Sequence, residues 1–381
     1  MKFKSYIIFF LLFGLVPDLY ICTLYIKDIA LSVKLLVCLP TLLLLILLFN
    51  IGKGVKYAES VRLYSYLTFI VEFPKFIFSV FSSTGRFVFG IAPQPADLIA
   101  LAVALSVSAM FAVLVFYTTR HLKLNLVNLT FSSLPDAFNG LRICQLSDFH
   151  LGSFGTKADY IRQIADKVQE LSPDLILFTG DMVNFEASEA DSYLGELSRL
   201  KAPMGIYSIR GNHDYLMHGY HHNAEARLRG MDKLMEMEKS LGWIILLNEH
   251  AILEKDGARF ALVGVENVSA NPFFSKMGGD LKKAMEGLPP GIFTILLSHD
   301  PSHWRSEVVP SSDIPLTLSG HTHGLRYKLA GLHPSHWKLP ESGGIYRHGS
   351  QVLHVSKGLG SAFAFRLGGF PMIDLITLTN K

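Results

Sequence analysis

Apolar residues run along this chain in two regimes. Up to about residue 120 they form long, nearly unbroken stretches; beyond residue 140 they come in short runs parted by polar turns. A bilayer core takes roughly 20 apolar residues in helical form. Four stretches, 6–26, 35–51, 63–81 and 98–117, come near that length and predict four membrane spans. The second (LLVCLPTLLLLILLFNI) and fourth (LIALAVALSVSAMFAVLVFY) carry no charge, whereas the first holds Pro17 and Asp18 and the third holds Glu72, Pro74 and Lys75. A cleaved leader would end in a small-residue site; none comes after the first stretch, so it reads as a retained span.

The polar positions between spans set an orientation. Lys2 and Lys4 precede the first span, Lys53, Lys56 and Arg62 separate the second from the third, and Arg120 and Lys123 come after the fourth. With a cytoplasmic N-terminus, four crossings return the C-terminal part of the chain to the cytoplasm. Ionisable groups at membrane depth are functional suspects. Here Asp18, Glu72 and Lys75 are expected at span ends or in a break beside Pro74, which leaves anchoring as the task of this region.

After residue 125 the pattern changes, and the chain is expected to divide there into a transmembrane region (1–125) and a second domain (126–381). Runs rich in β-branched residues recur at 142–146, 175–178, 206–209, 260–265, 292–297, 316–318, 352–355 and 373–378. Between them Tyr160, Ile161, Ile164, Val168 and Leu171 share one helical face, as do Tyr193, Leu194, Leu197 and Leu200. A third set, Leu228, Met231, Leu234, Met235 and Leu241, stops at Gly242 in the manner of a helix cap. Strands alternating with helices imply an α/β domain, and the strand-rich end after residue 242 implies a second sheet.

Composition sharpens this picture at three points. The chain is 50% hydrophobic, and the excess lies before residue 120. A formal charge of +3 is close to balance and gives no basis for expecting nucleic acid. Cys22, Cys38 and Cys144 are too few and too scattered for a disulfide framework or a thiolate cage, and read as small buried apolar residues.

The chemistry stands where strands end. After 143–146 comes Asp148-Phe149-His150; after 175–179, Gly180-Asp181; after 206–210, Gly211-Asn212-His213-Asp214; after 292–298, His299-Asp300; after 316–319, Gly320-His321-Thr322-His323. Each alone is ordinary turn chemistry, since Asp, Asn and Gly favour turns. Together, five strand exits in one α/β fold face one edge, where ligands gather. A mixture of Asp, Asn and His without cysteine suits Mn²⁺, Fe, Zn²⁺ or Mg²⁺ rather than a structural zinc cage. The donors suffice for two ions; cations about 3.5–4 Å apart can clamp an in-line displacement at phosphorus and acidify a shared water.

The ordered set DFH, GD, GNHD, H and GHTH resembles the calcineurin-like metallophosphoesterases over roughly 126–379. The runs LRICQLSDFHLG, TGDMVN, IRGNHDY, LLSHDP, GHTHG and VSKGLG resemble in particular its membrane-associated bacterial branch of YkuE-like and YaeI-like proteins. The resemblance implies a four-layer α/β/β/α sandwich behind the transmembrane helices. It further implies one metal on Asp148, His150, Asp181 and His323, and a second on Asp181, Asn212, His299 and His321. Asp181 would bridge both ions together with the nucleophilic hydroxide, and His213 would act at the leaving group, oriented by Asp214. The chain departs from the branch where Leu325 and Arg326 succeed Gly324 and where Pro371-Met372 replaces a Pro-Glu pair; Arg326 becomes a candidate contact to a substrate phosphate.

His218, His221 and His222 read as exposed loop residues, and His303, His333, His336, His348 and His354 fall outside the motifs. Ser298 and Ser319 lack an evident paired base, and Gly358-Leu359-Gly360 reads as a turn near the site rim. The expected activity is metal-dependent hydrolysis of a phosphomonoester, phosphodiester or pyrophosphate bond at a bacterial inner membrane, on its cytoplasmic side. The substrate could be lipid-linked, as for the UDP-diacylglucosamine pyrophosphatases of the wider family. A nuclease or cyclic nucleotide phosphodiesterase shares the metal core, but no basic strip with interleaved aromatics is present. A silent metal-binding membrane sensor would have lost ligands, and none is missing.

Overall fold

In the computed structural model, residues 3–54, 56–113, 116–117, 121–155, 158–217, 219, 223–270, 277–324, 340–361 and 370–380 are described. The chain divides into two compact units near residue 118.

In the first unit four helical segments are long and apolar enough to cross a membrane: Ser5–Leu24, Leu31–Lys53, Tyr57–Val88 and Pro93–Val113. They coincide with the four expected spans. Large apolar side chains such as Leu36, Ile46, Phe49, Leu98 and Leu105 stay exposed on them, which is what a lipid environment accepts. The first and third segments are interrupted by π-helical turns at Phe10–Leu15, Thr68–Glu72 and Thr84–Val88. Pro17 and Pro74 sit in the first turn of the α-helices that resume after two of these, where a missing N–H costs little.

The charges in these spans are not at their ends. Asp18 and Glu72 are buried, and Lys75 Nζ lies 2.5 Å from Asp18 Oδ1 and 2.9 Å from Glu72 Oε2. Of the two expected placements, the span end is overturned, whereas Glu72 does lie at a π-helical break beside Pro74. An apolar run shows how long a helix is, but not which of its faces meets which neighbour. Arg86 pairs separately with Asp97, whose Oδ1 also accepts from Tyr25 and Ser82 at 2.7 Å each.

Among the described residues the second unit has twelve strands: β1 (Lys123–Thr130), β2 (Leu141–Leu146), β3 (Leu175–Phe178), β4 (Ile206–Ser208), β5 (Ile244–Ile245), β6 (Glu249–Lys255), β7 (Ala258–Gly264), β8 (Thr294–Leu297), β9 (Leu316–Ser319), β10 (Gly344–His348), β11 (Gln351–Val355) and β12 (Met372–Thr379). They form two six-stranded sheets, ordered β1-β12-β2-β3-β4-β5 and β10-β11-β9-β8-β7-β6. Both are mixed: β2 to β5 run parallel, as do β7, β8, β9 and β11, while β12 and β2, β6 and β7, and β10 and β11 pair antiparallel. Because β1 already pairs with β12 from Lys123, the second unit starts a few residues before the expected boundary.

Alternation along each strand sorts the core into layers. Ile143, Leu175 and Leu177 point to the inner face and pack with Leu262, Ile295, Leu316 and Val352 of the other sheet. Cys144, Leu146, Ile176 and Phe178 point outward onto Ile161, Ile164 and Val168 of the helix Asp159–Leu171 and Leu234 of the helix Ala224–Ser240. On the far side Val263, Leu296 and Leu353 meet Leu281, Trp304 and Val308. The result is the four-layer α/β/β/α sandwich that the resemblance implied. With helices covering one face and a sheet the other, β3 is buried at every residue.

The helix at 224–240 ends as expected, with Gly242 at φ +79. Leu228, however, is exposed, and Met237 rather than Met235 enters the core. The pattern at 193–200 yields one short helix, Leu194–Leu197, preceded by a 3-10 stretch, Ala187–Tyr193.

Candidate metal centre

The turns at the ends of β2, β3, β4, β8 and β9 carry the seven candidate ligands, and their backbones are unusual. Asp148, His150, Asp181, His321 and His323 all have positive φ, between 47° and 69°. Non-glycine residues held there cost of order 1–3 kcal/mol each and persist where the surroundings over-determine them. Glycines make the crowding possible. A Cβ on Gly211 would run into the Asp181 carboxylate, and one on Gly320 into Ser147 Oγ and Asp148 Oδ2.

The side chains converge. His150 Nε2 lies 3.9 Å from Asp148 Oδ1 and 3.5 Å from Asp181 Oδ2, and His323 Nε2 lies 3.8 Å from Asp148 Oδ1. On the other side, His299 Nε2 is 3.2 Å from Asp181 Oδ2 and 3.2 Å from Asn212 Oδ1. Ligand atoms of Asp148, His150 and His323 gather within 4.8 Å of one another, as do those of Asp181, His299 and His321. Asp181 therefore stands between two donor groups.

The donor set fits metal binding on a test independent of motif. His150 is fully buried, yet neither of its ring nitrogens has a hydrogen-bond partner among the described residues, and buried polar atoms are normally satisfied. Burial pushes this ring down to about 3, so it is a neutral donor. For His299, burial works against the charged form, but Asp181, at hydrogen-bond distance, lifts it to about 10. Asp181 in turn is held well below the ordinary carboxylate range: burial opposes ionisation, and His299 and His213 overcome it. His299 Nδ1 faces Thr179 O at 2.7 Å, which directs Nε2 into the site.

Three expectations change. Asp214 does not orient His213: its carboxylate accepts from the amides of Asp181 (2.8 Å), Met182 (2.8 Å), Val183 (3.3 Å) and Gly211 (2.9 Å). His213 Nδ1 lies instead 2.7 Å from Asn184 O. The turn after β3 aims three amides, Asp181–Val183, at this carboxylate and its own turn a fourth, Gly211, and the adjacency of His213 and Asp214 in sequence could not reveal this. Second, Ser298 does have a base, with His303 Nδ1 at 2.8 Å and Glu307 Oε2 at 3.1 Å from Nε2, but Ser298 and His303 are wholly buried and serve packing. Third, Gly358-Leu359-Gly360 is no rim turn. It is buried behind the first ligand, with Leu359 N donating to Ser147 O and Gly360 N to Asp148 O.

Sequence reasoning also passed over Asp300, whose Oδ2 is 3.6 Å from His321 Nε2, although it adjoins His299. Asn184 acts through its backbone, so its side-chain type carried no signal. Arg326, His218, His221, His222, His333 and His336 lie outside the described residues.

A two-sheet sandwich with carboxylate and imidazole donors gathered beyond its parallel strands defines a candidate metal-binding α/β/β/α fold. Residues 141–325 match the family described as calcineurin-like phosphoesterase, and the chain carries such a domain. A transmembrane protein with metallophosphoesterase domain from Bos taurus is 34% identical over 199 residues, 50% of this chain and 42% of that protein. The uncharacterized metallophosphoesterase YkuE of Bacillus subtilis is 29% identical, covering 65% of this chain and 82% of YkuE. The UDP-2,3-diacylglucosamine pyrophosphatase LpxG of Chlamydia muridarum is 28% identical, covering 72% of this chain and 96% of LpxG. The chain spans less than half the length of the vertebrate relatives. With four apolar helices ahead of the domain, it is a membrane protein.

Proposed function

We propose that this protein is a membrane-anchored hydrolase of phosphoester bonds that uses two divalent metal ions and acts on a lipid-linked pyrophosphate or phosphodiester. The observation that carries this reading is the position of the Asp181 carboxylate, whose Oδ2 is 3.5 Å from one candidate donor, His150, and 3.2 Å from another, His299.

Asp148, His150, Asp181 and His323 would hold one ion, and Asp181, Asn212, His299 and His321 the other. Such a pair supplies Lewis acidity to the phosphoryl oxygens and acidifies water near neutral pH. The chain's own residues do the rest. His321 N donates to both Asp148 oxygens at 3.0 and 3.1 Å and Ser147 Oγ to Oδ2 at 2.5 Å, which fixes that carboxylate. His213 N donates to Asp181 Oδ1 at 2.8 Å, tying the position of its ring to the bridging group. With Nδ1 on the Asn184 carbonyl, proton donation to a departing oxygen falls to Nε2 of the protonated ring.

The lipid-linked substrate class rests on the four apolar helices and on the similarity to LpxG, whose name describes a pyrophosphatase of a diacylated nucleotide sugar. The charge pattern of the loops supports a cytoplasmic face of a bacterial inner membrane. The test is detergent-solubilised protein with Mn²⁺, Mg²⁺, Zn²⁺ or Fe²⁺ assayed against nucleotide-linked lipids, phospholipids and soluble phosphoesters. Cleavage of a lipid substrate well above the soluble ones is expected. A marked preference for soluble nucleotides removes the lipid reading, and no turnover with any metal removes the hydrolase reading.

A further inference from the structure

Anchoring does not account for the interior of the membrane unit. Asp18 on the first span, Thr41 on the second and Glu72 on the third are each at most 5% exposed. Lys75 Nζ joins both carboxylates, at 2.5 and 2.9 Å, and lies 3.3 Å from Val37 O. Thr41 Oγ1 lies 3.4 Å from Glu72 Oε1. The first and third spans are irregular beside their polar residues, and the second carries a proline beside its own within an unbroken helix, Leu31–Lys53. Pro17 precedes Asp18 just after a π-turn, Pro40 precedes Thr41 inside its helix, and Glu72 ends a π-turn beside Pro74. Interrupted helices meeting at a polar cluster in mid-span are how membrane domains build ligand sites, whereas a plain anchor is more stable without them.

The charge count points to the ligand. Two carboxylates face one ammonium. The other polar groups directed at the cluster are neutral, namely the Cys38 thiol near Asp18, with Cys22 Sγ 3.8 Å from it, and the Thr41 hydroxyl, while the Tyr64 hydroxyl donates to Tyr6 O at 2.6 Å. Arg86, a further cation among the described residues of this unit, is committed to Asp97. One negative charge is therefore left over beside two carboxylates that are themselves buried. We propose that the Asp18–Glu72–Lys75 triad is a binding site for one exchangeable monovalent cation, a proton or a sodium ion, at mid-span of the membrane unit. The site gives this unit an ion-responsive role distinct from the hydrolytic chemistry of the second.

The experiment uses the full chain in lipid nanodiscs. Infrared spectra in light and heavy water read a protonated carboxylic acid, and equilibrium dialysis with radioactive sodium reads the alkali ion. Either a deuterium-sensitive acid carbonyl band that Glu72→Gln or Asp18→Asn removes, or saturable binding of one sodium that the same substitutions abolish, supports the site and says which ion fills it. Lys75→Met should raise the number of cations held from one to two, since the deficit doubles. Wild-type protein with neither an acid band assignable to the triad nor bound sodium overturns the proposal, whatever the variants do.

Discussion

Five candidate ligands sit in the left-handed region of backbone space, and this makes the site a reservoir of strain as well as of donors. His323, only partly buried, offers a direct test. His323→Asn, a residue that tolerates positive φ, should leave the metal-free domain as stable as the parent or more so by thermal unfolding, while cutting metal content and hydrolysis. Removing the imidazole of His213 should act differently. His213→Ala is expected to lower kcat by about 10²–10⁴-fold, the usual worth of a positioned acid, with metal stoichiometry unchanged by elemental analysis. Asp214→Asn is expected to be a structural lesion: replacing an acceptor of four buried amides should cost about 1–3 kcal/mol in denaturant unfolding. The candidate ligands were legible because each is a polar residue near the end of an apolar run, and the fold brings them together. What Asp214 and Asn184 do was not, since that depends on where backbone amides and carbonyls point once the turns have folded.

At the level of elements, two buried polar links hold the site's scaffold together. Gln145 on β2 donates to Ser319 O on β9 at 2.9 Å, and its Oε1 lies 2.7 Å from His354 Nδ1 on β11, so it joins the sheets beneath two ligand-bearing turns. Gln145→Leu should therefore weaken metal affinity by about 10–100-fold by calorimetry, as loss of outer support does. The second link pins β4 to the helix Ala224–Ser240 through Ser208 Oγ and Glu238 Oε2, 2.5 Å apart. Burial pushes Glu238 up to about 8 from its ordinary 4.5. The folded state thus keeps a proton that the unfolded chain has lost, and stability falls as pH rises through that window. Glu238→Gln, neutral throughout, should match the parent below about pH 4 and exceed it by roughly 4–5 kcal/mol near pH 8.5; equal pH profiles would refute the shift. Strands buried on both faces could be read from their apolar runs. β1, β5, β6 and β10 could not: β5 has two residues, and β6 and β10 bury few of theirs, so no run of apolar residues marks them.

For the whole molecule, the two regimes of hydrophobicity mark the apolar helices of the first unit off from the mixed strands and helices of the second. They did not reveal that the first and third spans bring their charges together, because that is a matter of helix faces rather than of helix length. The proposed topology is open to measurement: a reporter fused after residue 381 should be active in the cytoplasm and silent in the periplasm, and the reverse would move the metal centre to the other side.

The sheet order has a consequence for how such a protein is made. β12 lies between β1 and β2, and among the described residues β1 pairs with no other strand. During synthesis the spans are complete and β1 trails them out of the ribosome, yet its neighbour, Met372–Thr379, is translated only after all the other strands of both sheets. The half-built chain must wait, inserted in the bilayer with an open sheet margin, until residues 372–379 emerge to zip it shut. Shielding that margin is thus a job for the biosynthetic machinery, and a nonsense codon just ahead of Met372 would leave a tethered product unable to close.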